Sequence, residues 1–391
     1  MNDKVRKSKH FSMPLVFLVA LVGSIVSEPI IPYSIKSTLY AISLTIKEGL
    51  IFCLPFVIFS LIITSMVRLG AKALKSIVLI LPLICFSNFC NTWLSYWAFI
   101  ALPHKSWQLT AAITTTSQLI PAFSIKLSPL ISNDCALISG VCLGIALGII
   151  PINVSKFVGV LGRFCTLFFK CLIPIMPLFI IGTVIKLQSD GVLTAIIRGY
   201  LPVLLVFFCT SFGLVLVEFA VLSHFKLATF LYYLKNVIPA VITAFSSMSS
   251  AAALPLSIKA AEKNVTDGKN ADIIIPSSVN IHLVGDCFFI PMVALAVMTS
   301  FGMELPNAYC YLPFVFHFVL AKFAVAAVPG GGVLVMLPIM QHYLGLNADM
   351  LALVTALYIL FDPVITSCNV TGNGAMAIIF DRVAEKLKLN K

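Results

Sequence analysis

Four polar residues near the C-terminus are spaced so that a helix would set them in one line. Asp362, Thr366, Asn369 and Asn373 lie 4, 3 and 4 positions apart, which is the spacing of a single helical face. A stripe of one carboxylate, one hydroxyl and two amides can receive ammonium groups, polar backbone groups or protons. Ser367 and Thr371 add hydroxyls to the same segment, and a second polar set, Asn280, His282 and Asp286, interrupts another apolar stretch. Ionisable groups at membrane depth cost at least ~2.5 kcal/mol each on insertion scales, so they face a polar cavity or a partner. The alternative for Asp286 is a place near a span end with access to water. His282 fits a helix–helix hydrogen bond better than a proton relay, and Glu218 and His317, nearer segment ends, read as structural.

Two further stretches, 237–258 and 312–344, are broken by small residues: Ser246-Ser247-Met248-Ser249-Ser250 in the first, Val328-Pro329-Gly330-Gly331-Gly332 in the second. Neither can run cleanly as one helix through lipid, because Gly and Pro free backbone groups that need other partners. A helix that stops inside the membrane exposes N–H groups and a partial positive end that attract a carboxylate. Its unwound carbonyls can coordinate a cation. Small-residue helix packing is the competing explanation for one such segment. Two of them, each followed by a span with buried polar groups, point to a transporter's midplane site.

The elements that must hold these residues are membrane helices. Of 391 residues, 60% are hydrophobic and 10% charged, too few polar groups to cover a soluble domain of this length. Apolar segments at 11–31, 45–67, 77–102, 135–151, 161–187, 192–222, 273–300 and 350–380 give eight candidate spans. The expected class is all-α and membrane-embedded. Lys4, Arg6, Lys7 and Lys9 precede the first segment, and an uncleaved first helix is expected there rather than a signal peptide. With eight spans and two stretches that return to the same side, a cytoplasmic N-terminus leaves nineteen Lys and Arg inside against six outside, Lys322 lying within the second broken stretch. That bias orients both termini to the cytoplasm.

Other classes fit poorly. The net charge of +11 is dispersed over short loops, not gathered in a stripe that could follow nucleic acid. The eleven cysteines form no C-x-x-C pair and read as small apolar fillers. No H-E-x-x-H, D-D-x-x-D or nucleophile elbow suggests an enzyme.

Ala244 through Pro255 resembles the serine-rich first hairpin tip of the dicarboxylate/amino acid:cation symporters, the glutamate-transporter family. Val328-Pro329-Gly330-Gly331-Gly332 resembles the second tip. Asp362 and Asn369-Val370-Thr371-Gly372-Asn373 resemble the last helix, and Leu54 through Leu61 the second. The resemblance covers almost the full length in order. It implies eight transmembrane helices and two re-entrant helical hairpins, built as inverted repeats in a glutamate-transporter-like fold. It also implies a homotrimer in a bacterial inner membrane. Residues 1–75 and 135–188 would form a scaffold; residues 76–103 and 189–391, with hairpins near 237–258 and 312–344, would form a transport unit that moves like an elevator.

The same resemblance marks Ser249, Ser250, Asp286, Val328, Gly332, Asp362, Thr366 and Asn369 as substrate-binding, with Asp362 taking the substrate amino group. His282, Asp286, Asn369 and Asn373 are marked for proton or sodium coupling. The chain departs from the family at informative places. The usual seventh-span N-M-D-G-T reads His282-Leu283-Val284-Gly285-Asp286, and a usual aspartate of the last span is Asn373. Sodium sites need several oxygens, preferably including a carboxylate, so sodium sites look weakened and protons are favoured. The family arginine that pairs with an acidic substrate is Ile365 here, which would leave a second substrate carboxylate unpaired. The expected function is symport of an amino acid with a neutral or basic side chain, read by Asp286 unless that group carries the coupled proton. A glutamate or C4-dicarboxylate symporter is the alternative, and needs a basic residue such as Lys322 to reach the pocket. A channel is the remote one.

Overall fold

The computed structural model describes residues 13–70, 74–102, 119–127, 130–131, 133–149, 154–190, 192–325 and 330–387. Among these the regular structure is entirely helical. The first five helices are α1 (Met13–Ser27), α2 (Tyr33–Gly70), α3 (Leu74–Ile100), α4 (Asn133–Ile149) and α5 (Ser155–Ser189). They are followed by α6 (Val192–Leu222), α7 (Leu227–Ser247), α8 (Ser250–Asn264) and α9 (Gly268–Ser278). The chain ends with α10 (Val284–Ser300), α11 (Ala308–Ala321), α12 (Gly331–Leu344) and α13 (Ala348–Lys386). Four helices are long and apolar enough to cross a membrane among the described residues: Leu79–Ile100, Tyr200–Leu222, Leu227–Ser247 and Ala348–Lys386.

The distribution of surface reverses that of a water-soluble bundle. On α6, Leu201, Leu205 and Phe208 are each more than half exposed, while the carboxylates of Asp286 and Asp362 are buried. An exterior of this kind is stable against acyl chains, and an apolar patch so large on a soluble monomer would drive association. Helix α2 packs chiefly against α4 and α5. Helix α10 lies at the centre of the other group, between α3, α6 and α13, and nearly all its side chains are buried.

Local chemistry explains where the helices stop. Met248 ends α7 in a left-handed conformation (φ 52°), and Ser249 then caps α8 by accepting a hydrogen bond from the Ala252 N–H at 3.3 Å. The serine-rich break is thus a tight turn between two packed helices. Asn307 and Asn347 cap α11 and α13 in the same way, accepting from Cys310 at 2.9 Å and Met350 at 3.0 Å. Gly330, at φ 74°, opens α12 in a conformation that glycine adopts without steric cost.

The seventh apolar segment differs from the single helix expected over 273–300. It is two helices, α9 and α10, separated at residues 279–283. The break is held by Asn88 of α3. Its amide N donates to the Ile281 carbonyl at 2.7 Å, and its Oδ1 accepts from the Leu283 N–H at 3.4 Å. One side chain therefore replaces the hydrogen bonds that a continuous helix would have made. The last helix, by contrast, runs unbroken through Pro363, so the stripe from Asp362 to Asn373 does share one helix.

Candidate functional site

The turn between α7 and α8, the start of α12, the break before α10 and the middle of α13 meet at one cavity. Its volume is about 20 Å³, room for about one water-sized sphere. Ser250 and Gly332 line it from the two helix starts, and Asp362, Thr366 and Asn369 from α13. Asn280 and Asp286 contribute from the broken segment. Helix starts carry unsatisfied N–H groups and a partial positive charge, so the wall combines two positive helix ends with two carboxylates.

Each carboxylate is held differently. Asp362 is 2% exposed. Its Oδ2 accepts from the Gly330 N–H at 2.8 Å and its Oδ1 from the Thr366 hydroxyl at 2.8 Å. Asp286, 1% exposed, forms an ion pair through Oδ2 with Lys322 Nζ at 3.0 Å. Its Oδ1 accepts from the Tyr358 hydroxyl and from Asn369 Nδ2, both at 3.1 Å. Among the described residues Asp362 has no ionic partner, so it is the carboxylate left for a cationic group.

Asn369 is more heavily engaged than a simple binding amide. Its Oδ1 accepts from the Gly285 N–H at 2.8 Å and the Asp286 N–H at 3.4 Å, so it caps α10 from a neighbouring helix. Close approach makes this work: a Cβ at Gly285 would collide with the Ile365 carbonyl, and one at Gly332 with the Tyr358 hydroxyl and the Asp286 carboxylate. The Oδ1 of Asn280, buried at the cavity, has no hydrogen-bond partner among the described residues, and an unpaired buried acceptor is costly.

Of the residues marked in the sequence, Ser250, Asp286, Gly332, Asp362, Thr366 and Asn369 are thus brought together. Ser249 stands beside them as a helix cap. Val328 lies outside the described residues. His282 and Asn373 form a separate chain: His282 Nδ1 meets Asn373 Oδ1 at 3.1 Å, and its Nε2 meets the Ser87 hydroxyl at 2.9 Å. Sequence reasoning missed Tyr358 and the Lys322–Asp286 pair. Both had a signal. Tyr358 extends the α13 stripe by one step of four, and Lys322 is the only Lys, Arg, Asp or Glu in the stretch 308–344. A lone intramembrane charge demands a partner.

A polar cavity framed by helix starts inside a bundle with an apolar exterior is the build of a membrane transporter. Residues 135–383, well over half the chain, match the sodium:dicarboxylate symporter family, and the protein belongs to that family. It is 27% identical over 150 residues to the serine/threonine transporter SstT of Streptococcus thermophilus (strain CNRZ 1066), a match covering 38% of this chain and 37% of the relative. With the serine/threonine transporter SstT of Streptococcus agalactiae serotype III (strain NEM316) it shares 26% identity over 235 residues, 57% and 55% of the two chains. With the proton/sodium-glutamate symport protein of Bacillus subtilis (strain 168) it shares 27% over 184 residues, 47% and 41%. The chain therefore spans between about a third and just over half of the length of these relatives.

Proposed function

We propose that the protein is a secondary active symporter that takes up a small amino acid with a neutral side chain, coupled to protons or sodium. One observation carries the reading. Two helix starts, at Ser250 and Gly331–Gly332, converge on the carboxylate of Asp362, which has no ionic partner among the described residues, deep in the bundle. A zwitterion suits those groups in a more open form of this one-water cavity: its ammonium would meet Asp362, and its carboxylate the positive helix ends. With Ile365 in the apolar core and Lys322 held by Asp286, no guanidinium or free ammonium among the described residues lines the cavity for a second substrate carboxylate. The serine/threonine relatives support the same substrate class.

The elevator mechanism belongs to this proposal. Helices α1, α2, α4 and α5 would be the scaffold. A transport unit of α3 and α6–α13 would carry the cavity across, with α7–α8 and α11–α12 as its two re-entrant hairpins. Eight spans in all, inverted repeats, a homotrimer, cytoplasmic termini and a bacterial inner membrane complete the reading. Substrate and cation bias gate closure only through their unequal affinity for open and closed forms. A glutamate or C4-dicarboxylate symporter is the second reading, favoured by the nearness of Lys322, and it requires Asp286 to release that ammonium to the substrate.

Uptake of radiolabelled serine, threonine, alanine, lysine and glutamate into proteoliposomes, under separate sodium and proton gradients, tests both readings. Uphill serine or threonine accumulation driven by one gradient is expected. Strong glutamate or succinate uptake that survives Asp362→Asn overturns the pocket reading.

A further inference from the structure

Lys322 and Asp286, paired beside the cavity, are charged groups that the uptake of a neutral amino acid does not use. Lys322 sits in a single 3-10 turn, Lys322–Ala324, at the end of α11. It is fully buried. Its Nζ lies 3.0 Å from Asp286 Oδ2 on one side and 4.3 Å from the centre of the Phe318 ring on the other. It does not line the cavity, whereas Asp286, its ion-pair partner, does.

Such a pair is a poor device for stability. Desolvating two ions costs several kcal/mol each, and apolar residues at both positions would commonly serve the fold as well. What the pair changes is the charge presented to the cavity. Asp286 and Asp362 both belong to the wall of a small, buried space. Without an internal cation, two carboxylates would face it, and each would demand a mobile positive charge before the site could close. With Lys322 in place, Asp286 is neutralised from behind and its second oxygen is occupied by Tyr358 and Asn369. Only Asp362, hydrogen-bonded to Gly330 and Thr366, is left without an ionic partner among the described residues.

We infer that Lys322 is a specificity-determining residue: a tethered ammonium that occupies Asp286 permanently, in place of a soluble cation or a basic substrate side chain. The inference rests on the cavity being the transport site, and it has two consequences. Lysine-like substrates are rejected, because the acidic group that would read them is already paired. Asp286 also carries no mobile cation through the cycle, so coupling runs through another group.

The test uses the full chain, purified and reconstituted, with Lys322→Met, Asp286→Asn and the double variant. Methylammonium is the probe, since it is the lysine head group without its tether. In Lys322→Met, serine uptake is expected to fall at least about tenfold, the scale of leaving a buried charge unpaired. Millimolar methylammonium is expected to restore a large part of it, and lysine uptake is expected to appear. In Asp286→Asn the freed ammonium is expected to admit glutamate. Thermal unfolding gives a readout independent of transport: methylammonium is expected to raise the Tm of Lys322→Met by mass action, and to leave wild type and the double variant unmoved. If wild type transports no amino acid but this Tm pattern holds, the transport reading fails and the tethered cation stands. If wild type transports serine and Lys322→Met does so equally well, with no methylammonium effect on rate or Tm, the inference is overturned. Should Lys322→Met not fold, glutamate uptake by Asp286→Asn decides: its appearance supports the inference and its absence overturns it.

Discussion

Gly330 and Asp362 are joined directly, the backbone N–H of the first donating to Oδ2 of the second at 2.8 Å. This bond ties the start of α12 to the middle of α13, and it uses the same oxygen that a substrate ammonium would seek. In the proposed symporter, the position of α12 and substrate binding would therefore be linked through a single carboxylate.

Replacing that carboxylate separates its charge from its shape. Asp362→Asn keeps an oxygen for the Gly330 N–H but gives up the negative charge. A hydrogen bond to a charged group contributes about 1.5–3 kcal/mol, so initial uptake rates should fall by roughly ten- to a hundredfold. The protein should still insert and elute as a single species on size exclusion. Unchanged serine uptake in this variant would remove Asp362 from the binding role.

The two sides of the cavity also meet at Gly332, where a Cβ would run into the Asp286 carboxylate and the Tyr358 hydroxyl. Both groups are buried and mutually bonded, so neither can yield cheaply. Overpacking of this kind typically costs about 1–3 kcal/mol. Gly332→Ala is expected to abolish uptake at normal surface expression, because α12 can no longer seat against α10. Gly268→Ala is the matching control. A Cβ there meets open space, and transport should be unaffected.

Much of this architecture is written in the sequence, and the parts that are not share a cause. The α13 stripe follows from helical spacing alone, and the turn at Met248–Ser249 and the glycine start of α12 at Gly330 from the small-residue runs around them. The break at 279–283 shows in the sequence only as two polar residues, Asn280 and His282, in an apolar run, with no Gly or Pro among the five to stop a helix. It depends on Asn88, almost two hundred positions away, which substitutes for lost backbone hydrogen bonds. The Lys322–Asp286 pair is likewise a tertiary fact. Each residue is conspicuous as a lone charge in an apolar stretch, but nothing in either stretch names the other as its partner.

Asn88 supplies the sharpest stability prediction. Asn88→Ala strips the Ile281 carbonyl and the Leu283 N–H of their side-chain partner in a buried setting. Each unsatisfied group costs about 1–3 kcal/mol. The expected result is a fall in Tm of several degrees, measured in detergent by tryptophan fluorescence. Transport should be impaired as well, since α10 loses the support that aims Asp286 at the cavity. A Tm within one degree of wild type would mean that the break holds itself open without α3.

His282 offers a choice between two roles that one substitution can separate. Both ring nitrogens are engaged, Nδ1 with Asn373 and Nε2 with Ser87, and the ring is 1% exposed. A relay needs a path for a proton to arrive and leave, whereas this ring bridges α3 and α13 through one hydroxyl and one amide. The bridging role predicts that His282→Gln, which can still donate and accept, keeps gradient-driven uptake within about threefold, a loss near 0.6 kcal/mol. His282→Leu should instead lower Tm, because it leaves Asn373 and Ser87 without this partner. If His282→Gln binds substrate normally yet no longer responds to an imposed proton gradient, the ring carries the coupled proton and the bridging role is wrong.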